Sequence, residues 1–406
     1  MKVKIDHLNS FGNGVCLGAK KIFIPYTIEG EHIEADLLLE KKDYSFAAAT
    51  KIITPSAERV DPPCPYYTKC GGCNLQHMSE KRYDQFKHDQ LRDIIKKLGD
   101  ETTVSDMFIL KAGIRHRANF KVHNKKIGFN KQSSHEIITI DKCIALIDSL
   151  GEVIPLINHI IAKIPADKFK EVELLAAANG IDCVFTTTDQ ITLHEKNLIL
   201  DLVKHSSLIR ISYKINENIE VIYTKATPFI VINNMNIELP PHCFLQVSKE
   251  SIDIMLSIIS PLATSYVNII DLFAGIGTYG YAICEKSPVT AIESDQTMVK
   301  AINVNAKKYQ LDIKGFSRDL HQNPLKKNEL KSYDLAIVNP PRSGAEKQIV
   351  NFTTTDVIMV SCNPLTFLHD AKLLQKKGYV MEKIYGIDQF HWTNHLELIG
   401  FFKSPS

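Results

Sequence analysis

The chain lacks an excess of charge of either sign: 48 Lys and Arg stand against 46 Asp and Glu, a formal net charge of +2. This excludes a strongly basic field over the whole molecule, so a surface for a polyanion has to be a local patch. Long apolar runs are also missing. The stretch from Ile137 to Ile164 is broken by Asp141, Lys142, Asp148, Glu152 and His159, which excludes a membrane-spanning helix there. Met1 to His7 meets charge at once and holds no apolar core of signal-peptide length, so a cytoplasmic protein is expected. No internal repeat or low-complexity tract occurs. Nine cysteines in a reducing compartment stay mostly as thiols, so their clustering points to metal or catalysis before disulfides.

What is present is an ordinary globular composition, 44% hydrophobic and 23% charged, over 406 residues. That length exceeds one ordinary core, and two or three domains are expected. Residues 1–55 read as a small β-barrel: short alternating segments (Lys2 to Ile5, Lys21 to Pro25, His32 to Leu39, Ser45 to Ile53) punctuated by Gly12, Gly14, Gly18 and Gly30. Thr54-Pro55-Ser56 and Asp61-Pro62-Pro63 mark a linker. Residues 64–247 mix helical stretches (Ser79 to Leu98, Leu193 to Lys204) with strands (Arg117 to Val122, Cys183 to Thr187), an α+β domain. Residues 248–406 alternate strand and helix regularly, which predicts a doubly wound α/β domain with a parallel sheet.

Asp271-Leu272-Phe273-Ala274-Gly275-Ile276-Gly277-Thr278-Tyr279-Gly280 follows a buried-looking strand and opens a helix, and Glu293 closes the next strand. Glycines there let backbone approach a ligand, and a carboxylate at that point can accept both ribose hydroxyls of a nucleoside cofactor. The pattern alone does not choose between NAD and S-adenosylmethionine. Val338-Asn339-Pro340-Pro341-Arg342 forms a proline-locked loop after a later strand, where the Asn339 amide can meet the edge of a flipped-out base. Ser361-Cys362-Asn363-Pro364 follows the apolar run Val357 to Val360, so the Cys362 thiol emerges at a strand's carboxyl end. In His395-Leu396-Glu397, the carboxylate is either a surface group on the alternate strand face or a base with a raised pKa.

Cys64, Cys70 and Cys73 lie within ten residues around Gly71-Gly72, with Cys143 far along the chain. Four thiolates suit zinc or an iron-sulfur cluster, and only Cys70 and Cys73 form the C-x-x-C pair that zinc sites favour. Cys16, Cys183, Cys243 and Cys284 read as structural. Lys111 to Lys131 carries Lys111, Arg115, Arg117, Lys121, Lys125, Lys126 and Lys131 without an acid, interleaved with His116, Phe120, His123 and Phe129. This is either a single-stranded RNA surface, with cations for phosphates and rings for bases, or a solvated strand face.

With these motifs assembled, nearly the whole chain resembles the RNA 5-methyluridine methyltransferases, particularly bacterial 23S ribosomal RNA members with a TRAM domain and a [4Fe-4S] cluster. Phe244-Leu245-Gln246-Val247 looks like the segment that precedes the catalytic domain in that family. The resemblance implies an RNA-binding TRAM barrel, a central domain carrying the cluster on Cys64, Cys70, Cys73 and Cys143, and a class I methyltransferase domain. It also implies that Gln246, Phe273, Glu293, Asp319 and Asn339 line the S-adenosylmethionine site, that Cys362 adds to C6 of a uracil, and that Glu397 removes the C5 proton. RNA, most readily 23S ribosomal RNA, is the expected partner of a monomer, with transfer RNA the alternative target. Many relatives carry Asp where Asn339 stands, which blurs the match to a subgroup. Two rivals are an NAD-dependent oxidoreductase, which leaves Cys362 and the cysteine cluster unexplained, and a non-catalytic RNA-binding assembly factor. A cytosine-5 enzyme needs a second cysteine beside a proline, and Asn339-Pro340-Pro341 offers none.

Overall fold

The computed structural model describes residues 1–99, 104–132, 134–164, 168–353 and 355–405. At the N-terminus six short strands form one sheet whose two edges, Lys2–Lys4 and His7–Leu8, are consecutive in the chain. Ile5 and Asp6 join those edges, so the sheet curls closed around Ile5, Ile24, Ile33, Ala35 and Ala47. The alternation in the sequence predicts this barrel, and the observed strands His32–Glu40 and Tyr44–Thr54 match its predicted segments.

A second sheet of seven strands runs in the order Ile137–Thr139, Lys126–Asn130, Arg117–His123, Phe169–Ala177, Gly180–Thr187, Leu208–Ile215, Asn218–Thr224. Helices Asp148–Lys163 and Leu193–Val203 contribute to the same core. The apolar stretch 137–164 is thus a strand followed by a helix whose Leu150, Val153, Ile154, Ile157, Ile160 and Ile161 face inward at helical spacing. No helix among the described residues is long and apolar enough to cross a membrane.

In the basic segment 111–131 the structure corrects one option. Phe120 is fully buried and stacks on half-buried Phe129 with centroids 4.9 Å apart, so Phe120 packs the core and offers no platform to bases. Strand pairing sets Lys121 opposite Glu171, and Arg117, opposite Leu175 in the register, reaches diagonally to Glu173 at 2.8 Å, so two of the seven cations are matched by carboxylates of the neighbouring strand.

The third sheet has eight strands in the order Ile313–Ser317, Val289–Glu293, Ile269–Leu272, Leu335–Val338, Asp356–Ser361, Glu397–Lys403, Val380–Asp388, Val104–Ile109. Glu397–Lys403 is antiparallel to both neighbours, and the other pairings are parallel. This is the doubly wound α/β fold expected of residues 248–406, with one addition. The edge strand Val104–Ile109 comes from the preceding region, as does helix Glu80–Leu98. That helix is capped by the Ser79 side chain at its start and by left-handed Gly99 at its end. Its Leu91, Ile94 and Leu98 share a core with Phe367 and Leu374 of helix Pro364–Lys376. Burying side chains of this size stabilises the contact by about 1.5–3 kcal/mol each.

Candidate active site

The winding of the eight-stranded sheet reverses between Ile269–Leu272 and Leu335–Val338, and the carboxyl ends of the parallel strands open into one cavity of about 610 Å³. Doubly wound sheets receive ligands at such a crevice. Gln246, Phe273, Glu293, Asp319, Asn339, Cys362 and Glu397 all line it.

One half is built around the glycine loop. Phe273, Gly275 and Gly277 have φ of 59°, 58° and 85°, and these left-handed residues turn the strand into the short helix Thr278–Ile283. A non-glycine residue held in that region is a local strain of the kind found at ligand sites. Glu293 ends its strand with Oε2 accepting from the Gly275 N–H at 2.9 Å and Oε1 from the Ser294 N–H at 2.7 Å, which fixes the carboxylate beside the loop. Asp319 accepts from the His321 and Gln322 N–H groups at 2.9 and 3.1 Å. The Asn339 backbone N–H donates to the Leu272 carbonyl at 3.2 Å, and this fastens the proline loop to the central strand. Beneath the loop lies Asp271, fully buried, whose oxygens lack a well-aligned hydrogen-bond partner. Burial pushes it up to about 8, with the Gly280 N–H alone pulling the other way.

The other half pairs a thiol with a carboxyl group. Ser361 lies opposite Leu398 in the antiparallel register, so Cys362 and Glu397 leave their strands at the same end of the sheet. Glu397 is 2% exposed, which overturns the surface reading of this residue. Burial pushes its carboxyl up to about 8, against the restraint of the Gln389 amide, whose Nε2 donates to Oε2 at 2.6 Å. The same Nε2 lies 3.2 Å from Gln246 Oε1, so one amide joins the two halves. Burial and the Glu397 charge push the Cys362 thiol up, while the neighbouring Arg342 guanidinium opposes them. His395 is pushed down to about 4, by burial first and then by Arg342, Lys87 and Arg115, and is neutral at physiological pH. Sequence reasoning assigned no role to Arg342, Gln389 and His395. Arg342 carried a signal, following the Asn339-Pro340-Pro341 turn directly. Gln389 carried none, because strand pairing across a loop brings it to Glu397.

The four clustered cysteines lie outside this cavity. Their thiols feel one another's charge: Cys70 is pushed up by burial, with Cys143 and Cys64 adding to it, and Cys73 to about 11 by burial, with Cys143 and Cys70 adding. Arg115 opposes the shift at Cys70, Cys73 and Cys143. The four thiols are half-buried and come from two separate segments of the chain. Among the described residues, no three His, Cys, Asp or Glu side chains form a group that could hold a metal ion.

The mostly parallel, doubly wound sheet with its glycine loop and the acid closing the next strand has the fold of the S-adenosylmethionine-dependent methyltransferases. Residues 85–404 match the tRNA (Uracil-5-)-methyltransferase family, and the chain belongs to that family. It is an RNA uracil-5 methyltransferase, which excludes the oxidoreductase rival. It is 28% identical over 430 residues to the 23S rRNA (uracil(1939)-C(5))-methyltransferase RlmD of Shewanella piezotolerans, covering 99% of this chain and 95% of that one. An uncharacterised RNA methyltransferase of Brucella melitensis is 29% identical over 417 residues, covering 98% and 97%. Among solved structures, the Pyrococcus abyssi tRNA (uracil-54, C5)-methyltransferase with S-adenosyl-L-homocysteine shares the fold, with a TM-score of 0.78, 22% identity, and 99% and 100% of the two chains covered.

Proposed function

We propose that the enzyme methylates C5 of one uridine in 23S ribosomal RNA through a covalent bond between Cys362 and C6. The observation that carries this reading is the meeting of Cys362 and Glu397 at one end of two paired strands, in the cavity that also holds the nucleoside-type loop. S-adenosylmethionine, when bound, supplies the methyl group. Gln246, Phe273, Glu293, Asp319 and Asn339, which line the cavity, would hold and orient it, Glu293 and Asp319 as acceptors and Phe273 as a flat apolar wall.

C5 of uracil is a poor nucleophile until a group adds to C6. Cys362 would do so as the thiolate, with Arg342 favouring the charged form, and the C5–C6 π pair would become available at C5 to take the methyl group, the sulfonium sulfur keeping the pair of the broken S–CH3 bond as S-adenosylhomocysteine leaves. Glu397 in its ionised form then takes the C5 proton, the double bond re-forms, and Cys362 leaves with its electron pair. A buried carboxyl group with a pKa of about 8 is matched to that proton transfer near neutral pH. The uracil has to leave its stack to enter the pocket. The ribosomal target is supported by the 28% identity to the Shewanella enzyme, against 22% to the transfer RNA enzyme, which also matches end to end and keeps transfer RNA as the alternative. RNA labelled with tritium at C5 of uridine tests the reaction: tritium release dependent on S-adenosylmethionine is expected, and its absence, with 5-methyluridine unchanged in cells lacking the protein, would favour a non-catalytic assembly factor.

We further propose that Cys64, Cys70, Cys73 and Cys143 hold a [4Fe-4S] cluster that folds and orients the central domain, residues 64–247 without the helix and edge strand that join the catalytic sheet, between a TRAM-like RNA-binding barrel at 1–55 and the methyltransferase domain at 248–406. The mutual charge of the thiols and the counter-charge of Arg115 support this. The protein is read as a cytoplasmic monomer.

A further inference from the structure

Helix Glu80–Leu98 buries an apolar face, yet three of its inward residues are polar: Tyr83, Lys87 and Gln90 are 2%, 0% and 6% exposed. Spaced i, i+4 and i+7, they form one stripe. A stripe of this kind costs free energy unless each group finds a partner, and all three find one in the segment 388–395 that leads to Glu397, although Gln90 Nε2 also donates to the Ser10 carbonyl, at 2.7 Å. The Tyr83 hydroxyl donates to Asp388 Oδ2 at 2.5 Å and accepts from the Trp392 N–H at 2.9 Å. Lys87 Nζ donates to the His395 carbonyl at 2.6 Å and pairs with Asp388 Oδ1 at 3.1 Å. Gln90 Nε2 donates to the Asn394 carbonyl at 3.0 Å. From the other side the N–H groups of Asn74 and Leu75, directly after Cys73, both donate to the Trp392 carbonyl, at 2.9 and 3.0 Å. Trp392 itself has a φ of 64°, a left-handed conformation that a bulky residue keeps only when its surroundings enforce it.

The held segment lines the pocket with Gln389, Phe390 and His395 and ends at Glu397. We infer that Tyr83, Lys87 and Gln90 are positioning residues for the base step: they fix the segment 388–395 so that Gln389 holds Glu397 at the C5 proton. The inference rests on the reading of Glu397 as the base. None of the three residues lines the cavity, so their effect reaches the chemistry only through the segment.

This assignment gives a signature that a general loss of stability does not. If Glu397 is displaced, addition of Cys362 and methyl transfer still occur, while removal of the C5 proton and release of Cys362 slow down. The methylated RNA then remains bound to the protein and migrates with it on a denaturing gel. The experiment compares Tyr83→Phe, Lys87→Gln and Glu397→Gln in the full chain with S-adenosylmethionine and a uridine-containing RNA substrate. Thermal unfolding and calorimetric binding of S-adenosylhomocysteine report on folding. Tyr83→Phe removes one oxygen and leaves the apolar contacts, so it is the informative variant, and Lys87→Gln is the second. The expected result is that both form the denaturant-resistant adduct, as Glu397→Gln does, with kcat lowered about 10- to 100-fold and KM for RNA within about twofold of the parent enzyme. Adduct in Glu397→Gln but neither adduct nor loss of kcat in a folded Tyr83→Phe overturns the positioning role alone. Absence of adduct in Glu397→Gln overturns the base assignment, and the positioning role falls with it.

Discussion

Two buried carboxyl groups dominate the chemistry of single residues here, and they titrate for different ends. Glu397 faces the pocket beside Cys362, while Asp271 lies under the glycine loop and does not line that pocket. Burial pushes both up to about 8. The ordinary value is about 4, so the folded protein binds these two protons more tightly than the unfolded chain does. The stability they confer is complete below about pH 4 and is lost as pH rises through about 8. Asp271→Asn keeps the shape without the titration. Its thermal midpoint should therefore fall less than that of the parent between about pH 5 and 8.5, and a parallel decline in both proteins would count against a raised Asp271. The proposed role of Glu397 acts in the opposite sense on rate: a base has to be ionised, so the release of tritium from C5 should increase with pH up to about 8 and then level off. For Cys362→Ala, no methyl transfer and no RNA adduct are expected in a protein that still binds S-adenosylhomocysteine.

At the scale of elements, the loop 273–277 and the strands around it show how far local chemistry reaches. Gly280 packs so closely that a Cβ would stand 2.4 Å from Ile313 Cδ1 on a neighbouring element. Gly280→Val should then overpack the joint by about 1–3 kcal/mol, read by denaturant unfolding. Gly275 has open space around it but a φ of 58°, so Gly275→Ala adds backbone strain at the cofactor site with no clash. Weaker binding of S-adenosylhomocysteine, with a smaller loss of stability than in Gly280→Val, is the expected outcome by calorimetry. These turns were legible in the sequence because glycine, a strand and a following acid are local signals. Cys362 was legible for the same reason, as a thiol just past an apolar strand and before a proline. Glu397 was ambiguous, since alternation along one strand does not say which face is covered; the antiparallel neighbour Val380–Asp388 and the segment 389–396 bury it. Gln389 was invisible, because its partner lies eight residues on, across a turn with no periodic pattern.

Across the whole molecule, the order of the chain and the order of the sheets do not coincide. Strand Val104–Ile109 joins the edge of the catalytic sheet through a pairing with Val380–Asp388, which no local pattern announces. Helix Glu80–Leu98 starts just after the cysteine loop and carries the polar stripe that is hydrogen-bonded to the segment 388–395. Cysteine loop, helix and active site are therefore tied through Trp392, whose carbonyl accepts from Asn74 and Leu75 and whose N–H meets Tyr83. This continuity makes a specific demand on the proposed cluster. The segment from Cys64 to Leu75 has little regular structure to hold it, so what orders the cysteines also orders the two donors to Trp392. Anaerobically purified protein should contain about four iron atoms per chain, as four cysteine ligands to a [4Fe-4S] cluster require. Cys143→Ser removes a ligand contributed from far along the chain and leaves the loop sequence intact. It should lose the iron, and the amides of Asn74 and Leu75 should exchange hydrogen faster than in the parent. Stoichiometric zinc in place of iron would replace the cluster with a single-ion site, and unchanged exchange at Asn74 and Leu75 after loss of the metal would show that the loop holds its contact with Trp392 unaided.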